Sequence, residues 1–252
     1  PLLIKVIDAA ADLSIQVHPT DVTALGGGLG KTEAWHVLHA DPGASLYLGL
    51  RADVTIWELQ RLARAGASTA GLLNKVPAHI GTTYLLPAGT VHALGAGVVV
   101  YEIQQPSAIT YRLDDWGRVD SLGRPRDLHL DEAFAVIDAE SRPEPLPPAP
   151  LPRSPGRRTT LVSCAYFAAE RIELGPGDKI RLEAPGSPQT VTCLSGSADV
   201  RADGASVILA SGQTAALLAS AASATLTART TAVLLRGWAP TERPILIAMP
   251  KS

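Results

Sequence analysis

The chain has 252 residues, 46% of them hydrophobic, which is enough to bury one large core or two smaller ones. Its formal net charge of −2 provides no basic field, so we expect a small-molecule partner rather than nucleic acid or an acidic membrane. Only two cysteines occur, which argues against a disulfide framework and for a reducing compartment.

The chain opens with a short apolar strand, Leu2 to Ile7, in the segment PLLIKVIDAAADL. Charges in this segment make it a poor signal-peptide core, and no apolar run in the chain approaches the length that crosses a bilayer. We therefore expect a cytoplasmic protein without a membrane partner.

The next stretch, Leu13 to Pro19, reads as a strand that carries two candidate metal ligands. Successive side chains of a strand point to opposite faces, so Ser14, Gln16 and His18 share one face and the apolar residues between them share the other. Such a strand can bind something on its polar face. The alternative is an ordinary half-buried strand with His18 at a sheet edge.

A glycine-rich loop, Gly26 to Gly30, precedes the next strand. It lacks the Walker spacing and no helix follows it, so we expect the loop to let the backbone pass close to a neighbour rather than to cradle phosphate. From Glu33 onward, alternation puts Glu33, Trp35 and Val37 on one face of a strand, and Ser45 to Leu50 is the returning strand.

One helix is strongly indicated, from Thr55 to Leu62, because Thr55 and Glu58 have capping-box spacing. A second short helix is predicted from Ser68 to Asn74, which gives a small helical insertion near residues 55–75. The stretch from Leu128 to Ile137 fits a helix or a strand. The segments that we expect to be strands in this part of the chain are Thr82–Leu86, Val91–Leu94, Val98–Gln104 and residues 109–115.

A proline-rich spacer, SRPEPLPPAPLPRSPG, divides the chain. We predict a first domain over residues 1–140, a linker over 141–157 and a second domain over 158–252. Turn signals recur about every ten residues from Thr159 to Trp238, which is typical of a β-sandwich or barrel. The second domain lacks the usual metal ligands, because no histidine follows His129.

The stretch from Gly81 to His92 contains the most specific signal. Its spacing of glycine, five residues, proline, one residue, glycine, two residues and histidine is similar to the second metal motif of the cupin superfamily. Proline and glycine make a tight turn between two strands of a small jelly roll, so His92 points into the mouth of the barrel. A structural turn with a core histidine is the alternative. Together with Gln16, His18 and Glu33, however, His92 completes a donor set that suits zinc.

Four motifs in order, LSIQVHPTD, GKTEAWHVL, LLPAGTVHALG and ITYRLDDWGR, resemble those of the type I mannose-6-phosphate isomerases, particularly the short bacterial form. The similarity covers about residues 1–140 closely. The rest fits the family's second, metal-free cupin domain more loosely. The resemblance implies an all-β fold of two cupin jelly-roll domains and one Zn²⁺ ion per chain.

The resemblance also assigns roles to individual residues. It implies four zinc ligands: Gln16, His18, Glu33 and His92. It places Lys31 and Arg112 in the active site, and Glu102 matches the acidic residue that follows the motif histidine. Ser14 and Arg118 fall where phosphate contacts are expected.

The implied reaction interconverts mannose 6-phosphate and fructose 6-phosphate by proton transfer through an enediolate. For the proton transfer we favour Glu102, whose pKa would rise on partial burial, with Lys31 as the rival base, while Arg112 stabilises the developing charge. The alternatives are that Glu102 only orients Arg112, that Lys31 only binds phosphate and that Arg118 is a surface charge.

One departure from the family pattern bears on catalysis. Ser107-Ala108 stands where the family usually has a serine-aspartate pair, so an acidic group is missing. A non-catalytic sugar-phosphate-binding cupin is therefore an alternative function. A cupin isomerase of another sugar phosphate is a third.

Overall fold

The structure, a computed structural model, describes residues 2–151, 157–183, 186–221 and 223–240. Strands predominate, and the predicted all-β class is confirmed. The chain divides into two compact units, Leu3–Leu146 and a second that begins at Pro147. That division falls inside the predicted spacer, and the predicted domain boundaries themselves stay a prediction. Within the described ranges, no helix is both long and apolar enough to span a membrane.

The first unit contains two five-stranded antiparallel sheets, in the orders β1-β8-β3-β6-β10 and β5-β4-β7-β2-β9. The strands are β1 (Leu3–Ala9), β2 (Ile15–Val17), β3 (Glu33–Ala40), β4 (Ser45–Leu50), β5 (Leu73–Pro77), β6 (Thr83–Leu86), β7 (His92–Leu94), β8 (Val98–Gln104), β9 (Tyr111–Asp114) and β10 (Pro145–Leu146). Trp35 and Val37 of one sheet pack in one buried cluster with Leu46 and Leu48 of the other, so the sheets face each other.

Two α-helices cover the outer face of the second sheet: α1 (Ile56–Arg64) and α2 (Leu130–Val136). Thr55 caps α1 as predicted, since its side chain accepts a hydrogen bond of 3.2 Å from the Glu58 backbone N–H. Leu59 of α1 packs with Ile15 and Val17 of β2. The apolar face of β2 is thus turned to the helices, and its polar face is turned to the space between the sheets.

The predicted second helix from Ser68 to Asn74 is wrong. Only a short 3-10 turn forms, Ala70–Leu72, and β5 begins at Leu73. The backbone of Leu73 pairs with Leu50 of β4, and the Asn74 amide donates a hydrogen bond of 2.9 Å to the Leu50 carbonyl. Pairing with an existing sheet edge therefore outweighs the weak local helical tendency of this stretch.

The described part of the proline-rich spacer is extended, but it is also partly strand. Its first half contains β10, which pairs with β6, and its second half contains β11 (Ala149–Pro150), which pairs with β12 (Arg157–Ser163). Both short strands lie at sheet edges, where proline is tolerated because no partner needs its missing N–H. The rest of the spacer, residues 152–156, lies outside the described residues.

The second unit contains two antiparallel sheets, in the orders β11-β12-β13-β20-β15-β18 and β14-β19-β16-β17. The remaining strands are β13 (Ala168–Leu174), β14 (Lys179–Glu183), β15 (Gln189–Ser195), β16 (Ser197–Ala202), β17 (Ala205–Ala210), β18 (Thr214–Leu217), β19 (Ser223–Ala228) and β20 (Ala232–Trp238). Its core mixes both sheets, for example Ile172 and Leu234 with Leu182 and Leu226. The recurring turn signals predicted for this region include glycines that lie between strands, namely Gly177, Gly196, Gly204 and Gly212, and Pro185, which lies outside the described residues.

Candidate active site

Three side chains with metal-binding groups meet between the two sheets of the first unit. His18 follows β2, Glu33 begins β3 and His92 begins β7. His18 Nε2 lies 3.4 Å from Glu33 Oε2, and His92 Nε2 lies 3.3 Å from Glu33 Oε1. One ligand atom from each residue falls within 4.8 Å of the others, so the three can hold one metal ion.

Gln16 supplies a fourth donor to this cluster. It pairs with His92 across β2 and β7, which places both side chains on the same face. The Gln16 amide nitrogen lies 3.4 Å from His92 Nε2. Half a rotation of the amide would present its oxygen, the atom that binds a cation.

Both histidines are oriented by backbone carbonyls. His18 Nδ1 lies 3.0 Å from the Ile109 carbonyl, and His92 Nδ1 lies 2.9 Å from the Thr90 carbonyl. A carbonyl can only accept, so Nδ1 of each ring carries the proton and donates it. The lone pair on each Nε2 then faces Glu33, which is the tautomer that a metal ligand needs.

Burial sets the charge of these groups. It lowers the pKa of His18 to about 4, although Glu33 acts in the opposite direction, and it also lowers the pKa of His92. Burial alone would raise the pKa of Glu33, but the ammonium of Lys31 outweighs it and holds that pKa well below its usual range. The cluster at neutral pH is therefore one carboxylate between two neutral imidazoles.

The donor set fits a divalent ion. Among the described residues, neither carboxylate oxygen of Glu33 has a hydrogen-bond donor aligned with it, although both oxygens are buried. A buried carboxylate without aligned donors is costly, and a cation between it and two imidazole nitrogens would remove that cost. Nitrogen and oxygen donors in this combination suit zinc.

Lys31 lies against the same cluster. Its Nζ atom is 3.0 Å from His18 Nε2 and 3.0 Å from Glu33 Oε2, and the side chain is buried. The glycine-rich loop brings it there: a Cβ on Gly30 would lie 2.5 Å from the Asp21 backbone nitrogen. The prediction that this loop lets the backbone pass close to a neighbour is confirmed at Gly30.

Glu102 lies on the inner face of β8, opposite Trp35 of β3. Its carboxylate accepts hydrogen bonds from Lys5 Nζ at 2.7 Å and from Trp35 Nε1 at 3.0 Å. The Trp35 ring stands edge-on to His92 at 5.3 Å between centroids. Glu102 is thus separated from the ligand cluster by Trp35, and both of its oxygens are engaged.

Arg112 lies beside Gln16, its pairing partner across β2 and β9. Its Nη1 donates to the Asp127 carbonyl at 2.8 Å, whereas its buried Nε has no hydrogen-bond partner among the described residues. Burial, and next the neighbouring Arg126, lower the pKa of Arg112, which nonetheless remains charged at neutral pH. Arg112 therefore holds an unused donor close to the candidate ligands.

The two predicted phosphate contacts differ in their surroundings. Ser14 is buried, and its hydroxyl lies 3.4 Å from Gln16 Oε1, at the edge of the cluster. The contacts of Arg118 run instead to the Asp12 carbonyl at 2.6 Å and to the Asp115 carboxylate at 2.5 Å. Its connection to the site is electrostatic, through Arg112.

Sequence reasoning did not assign roles to the residues that hold the predicted ones in place. Lys5 and Trp35 fix Glu102, and Asp115, which is itself bound by Arg126, fixes Arg118. Alternation does put Trp35 on the face of Glu33, so its proximity could have been inferred. Lys5, Asp115 and Arg126 carry no such signal, because their partners lie on other strands or beyond a turn.

Comparison with known proteins gives this geometry a context. No family model matches the chain. Over 187 residues, however, the chain is 38% identical to the mannose-6-phosphate isomerase of Streptococcus mutans serotype c, covering 73% of this chain and 58% of that protein. The chain is a homologue of the mannose-6-phosphate isomerases. The resemblance that the four sequence motifs predicted is confirmed.

Solved structures of mannose 6-phosphate isomerases share the fold. The crystal structure of the Bacillus subtilis enzyme matches with a TM-score of 0.81 and 29% identity, over 94% of this chain and 74% of that chain. A mannose 6-phosphate isomerase described as holo and zinc-bound has a TM-score of 0.73 at 18% identity, over 95% and 79% of the two chains, which supports the fold alone. The chain spans just under three fifths, 58% and 59%, of two of the curated relatives it matches.

Proposed function

We propose that this chain interconverts mannose 6-phosphate and fructose 6-phosphate at a site with one zinc ion. The observation that carries the proposal is the buried carboxylate of Glu33, which lies 3.4 and 3.3 Å from two neutral histidines and has no aligned hydrogen-bond donor among the described residues. The homologous mannose-6-phosphate isomerase of Streptococcus mutans supports the choice of reaction and substrate.

The proposed zinc ligands are four residues that meet in one place: Gln16, His18, Glu33 and His92. The choice of zinc rests on the donors that these residues offer: two imidazole nitrogens, one carboxylate and one amide oxygen. A bound Zn²⁺ ion would act as a Lewis acid that withdraws charge from the sugar carbonyl. Two neutral imidazoles and one carboxylate leave a net positive charge on such a centre, which favours the negative charge that develops on the sugar.

Arg112 has the role of stabilising that charge. Its Nε has no hydrogen-bond partner among the described residues and lies in a buried environment, where a donor aimed at developing charge is worth more than in water. The Asp127 carbonyl fixes the other end of the guanidinium, so little reorganisation is needed when the sugar reacts.

Of the two candidate bases, the contacts favour Lys31, which in its neutral amine form could accept the proton from C2 of the opened sugar and return it to C1. Lys31 Nζ lies 3.0 Å from two candidate zinc ligands, and a sugar bound there would come within its reach. Glu102 is held by Lys5 and Trp35, whose hydrogen bonds occupy both of its oxygens. Its proposed role is to orient Trp35 against His92.

The phosphate end of the substrate is assigned to Ser14 and Arg118. The Ser14 hydroxyl is a neutral donor at the cluster, and the Arg118 guanidinium supplies charge at the same end of β2 through its bond to the Asp12 carbonyl. A hydroxyl and a guanidinium are both common phosphate donors.

A coupled assay for fructose 6-phosphate formation tests the proposal. We expect isomerisation that is lost on treatment with a chelator and restored by zinc, with one ion per chain by metal analysis. A panel of other sugar phosphates run beside mannose 6-phosphate separates this reaction from an isomerase of a different substrate. Stoichiometric zinc without isomerisation of any substrate would contradict the enzyme.

A non-catalytic sugar-phosphate-binding cupin is the second candidate, because Ala108 replaces the acidic residue usual in the family. Ala108 is exposed and adjoins Ile109, whose carbonyl orients His18. If the acid matters, Ala108→Asp should raise turnover by several-fold without changing zinc content. Binding of mannose 6-phosphate with no turnover in the parent, and turnover in Ala108→Asp, would favour the binding protein.

A further inference from the structure

A tight turn after β9 brings an acid and a base together. Trp116 and Gly117 have φ values of 59° and 66°, and the Arg118 backbone N–H donates to the Asp115 carbonyl at 3.1 Å. Two consecutive left-handed residues form a turn that sets the side chains of its first and fourth residues side by side.

A tryptophan in the left-handed region is strained, and this one is held by two hydrogen bonds. The Trp116 backbone N–H donates to Asp114 Oδ1 at 2.8 Å, and its indole Nε1 donates to the Leu13 carbonyl at 2.7 Å. The second bond ties the turn to the residues that lead into β2. The turn therefore has a fixed position relative to Gln16.

Asp115 is the junction of this region. Its carboxylate is 7% exposed and accepts from Arg118 Nη2 at 2.5 Å and from Arg126 Nε at 2.8 Å; Arg126 Nη2 also donates to it. One carboxylate thus engages two guanidinium groups, and their summed charge remains positive.

Arg126 connects this junction to Arg112. The residue after it, Asp127, accepts the bond from Arg112 Nη1, and His129 pairs with the Arg112 backbone: its N–H donates to the Arg112 carbonyl at 2.9 Å and its Nδ1 accepts from the Arg112 N–H at 3.2 Å. The segment 126–129 therefore lies beside β9, and Arg126 anchors this segment to Asp115.

We propose that Asp115 is a positioning residue that holds Arg118 directly in the place where it binds the substrate phosphate, and Arg112, through Arg126 and the segment 126–129, in the place where it stabilises the developing charge. This inference rests on the proposed function, in which Arg118 binds the substrate phosphate and Arg112 stabilises the charge that develops on the sugar. Asp115 itself contacts the two arginines and not the substrate.

The direction in which Asp115→Asn changes the affinity for an anion distinguishes a positioning role from simple charge neutralisation. If Asp115 only neutralised its neighbours, Asp115→Asn would remove a competing negative charge and tighten anion binding by about threefold in a solvated site. If Asp115 positions the arginines, the same change frees both guanidinium groups, and losing one charge-assisted hydrogen bond to the anion weakens binding by about 10- to 100-fold.

The experiment is calorimetric titration of inorganic phosphate into zinc-loaded parent, Asp115→Asn, Asp115→Glu and Asp120→Asn. Asp120 is the matched control, because it pairs with Arg124 in the same loop but is exposed. We expect weaker phosphate binding in Asp115→Asn, partial recovery in Asp115→Glu, and parental binding in Asp120→Asn, with equal zinc content throughout. Arg126→Gln, which leaves Asp115 paired with Arg118, should lower turnover more than it raises the Michaelis constant.

Equal or tighter phosphate binding in Asp115→Asn overturns the inference, as does a parent that binds no phosphate. Should Asp115→Asn fail to fold, Arg126→Gln decides: parental turnover in that variant overturns the link to Arg112. A parent that lacks isomerase activity while its phosphate binding still depends on Asp115 contradicts the proposed function alone, so the two failures are distinguishable.

Discussion

Each unit has a completely buried carboxylate on an inner sheet face, Glu33 in the first and Glu170 in the second, and the two are satisfied in opposite ways. Glu33 of the first unit faces two neutral imidazoles and Lys31 without an aligned hydrogen bond. Glu170 of the second unit accepts from Arg158 Nε and Nη2 at 3.0 and 2.7 Å, and from Arg236 Nη1 at 2.9 Å.

This difference teaches which unit can take up a cation. A buried charge must be paired or ligated. At Glu170 the two guanidinium groups already supply that pairing, so an added cation would be repelled. At Glu33 a single ammonium group, that of Lys31, supplies the pairing, and the Nε2 lone pairs of the two imidazoles face the carboxylate. A buried glutamate therefore completes a charge pairing inside the second unit, whereas inside the first unit it can take part in binding a metal ion.

Two arginines, Arg236 of the second unit and Arg112 of the first, differ in the same way in how many of their donors are used. Arg236 directs Nε to Gln189, Nη1 to Glu170 and Nη2 to the Glu183 carbonyl, and its guanidinium stacks 4.5 Å from the Trp238 ring centre. Arg112 uses only Nη1 on a side-chain bond and keeps a buried Nε unpaired among the described residues. Arg236 is committed to the fold, whereas Arg112 has a donor left for a ligand.

Removing a ligand from the open site should have the largest effect. In His92→Ala we expect zinc affinity to fall by at least about 10²-fold and isomerase activity to fall with it, since water replaces a neutral nitrogen donor poorly. Metal analysis after dialysis measures this directly. His39→Ala is the control, because His39 is exposed and pairs only with Asp41. Full zinc content in His92→Ala would remove this residue from the ligand set.

Removing the charge of Glu170 should destabilise the protein rather than create a metal site. Glu170→Gln leaves Arg158 and the almost fully buried Arg236 without a counter-charge, so we expect a loss of about 3–5 kcal/mol in the free energy of unfolding. Urea unfolding checks this, and zinc content should not change. Glu173→Gln, at a partly exposed pair with Arg157, should cost less than about 1 kcal/mol. Equal losses in both variants would contradict the comparison.

The two arginines should separate activity from stability. Arg112→Ala should lower turnover by about 10²–10³ with little effect on unfolding, because its free donor acts as charge develops on the substrate. Arg112→Lys should recover little, since lysine lacks the planar fork. Arg236→Ala should do the reverse and destabilise the fold. A raised Michaelis constant with unchanged turnover in Arg112→Ala would make Arg112 a ground-state contact.

Asp115 extends the comparison to a paired carboxylate nearer the surface, and its expected effect is the smallest. Although burial favours its neutral form, hydrogen bonds from Arg126 and Arg118 hold the pKa of Asp115 below its usual value of 3.8. Its stabilising contribution, about 1–2 kcal/mol, is therefore present above that pH and is lost as the pH falls below it.

Urea unfolding of the parent and of Asp115→Asn at pH 7, 5 and 3 measures this contribution. We expect a constant difference between the two proteins at pH 7 and 5 and a smaller one at pH 3, because asparagine does not titrate. A difference that grows toward low pH would have the wrong sign for a carboxylate whose pKa is lowered on folding.

The sequence by itself determined the elements that local chemistry controls. Alternation along β2 and β3 assigned Gln16 and Glu33 to faces that meet between the sheets, because the two-residue period of a strand is independent of its partners. Capping-box spacing located the start of α1 at Thr55. The proline-glycine turn before His92 fixed the direction of that side chain. These features carried the all-β class and the resemblance to the isomerases.

Only the tertiary structure decided what depends on partners far away in the chain. Leu73 became a strand because the edge of β4 was available, which no local pattern records. Glu102 is a weaker candidate for the base in the structure than in the sequence, because Lys5 and Trp35, on two other strands, donate hydrogen bonds to its two oxygens. Asp115 gained a role through a turn and a loop. The sequence around a charged residue is the same whether or not a counter-charge from elsewhere in the chain reaches it. Only the packed structure could therefore show which buried carboxylates lack aligned hydrogen-bond donors.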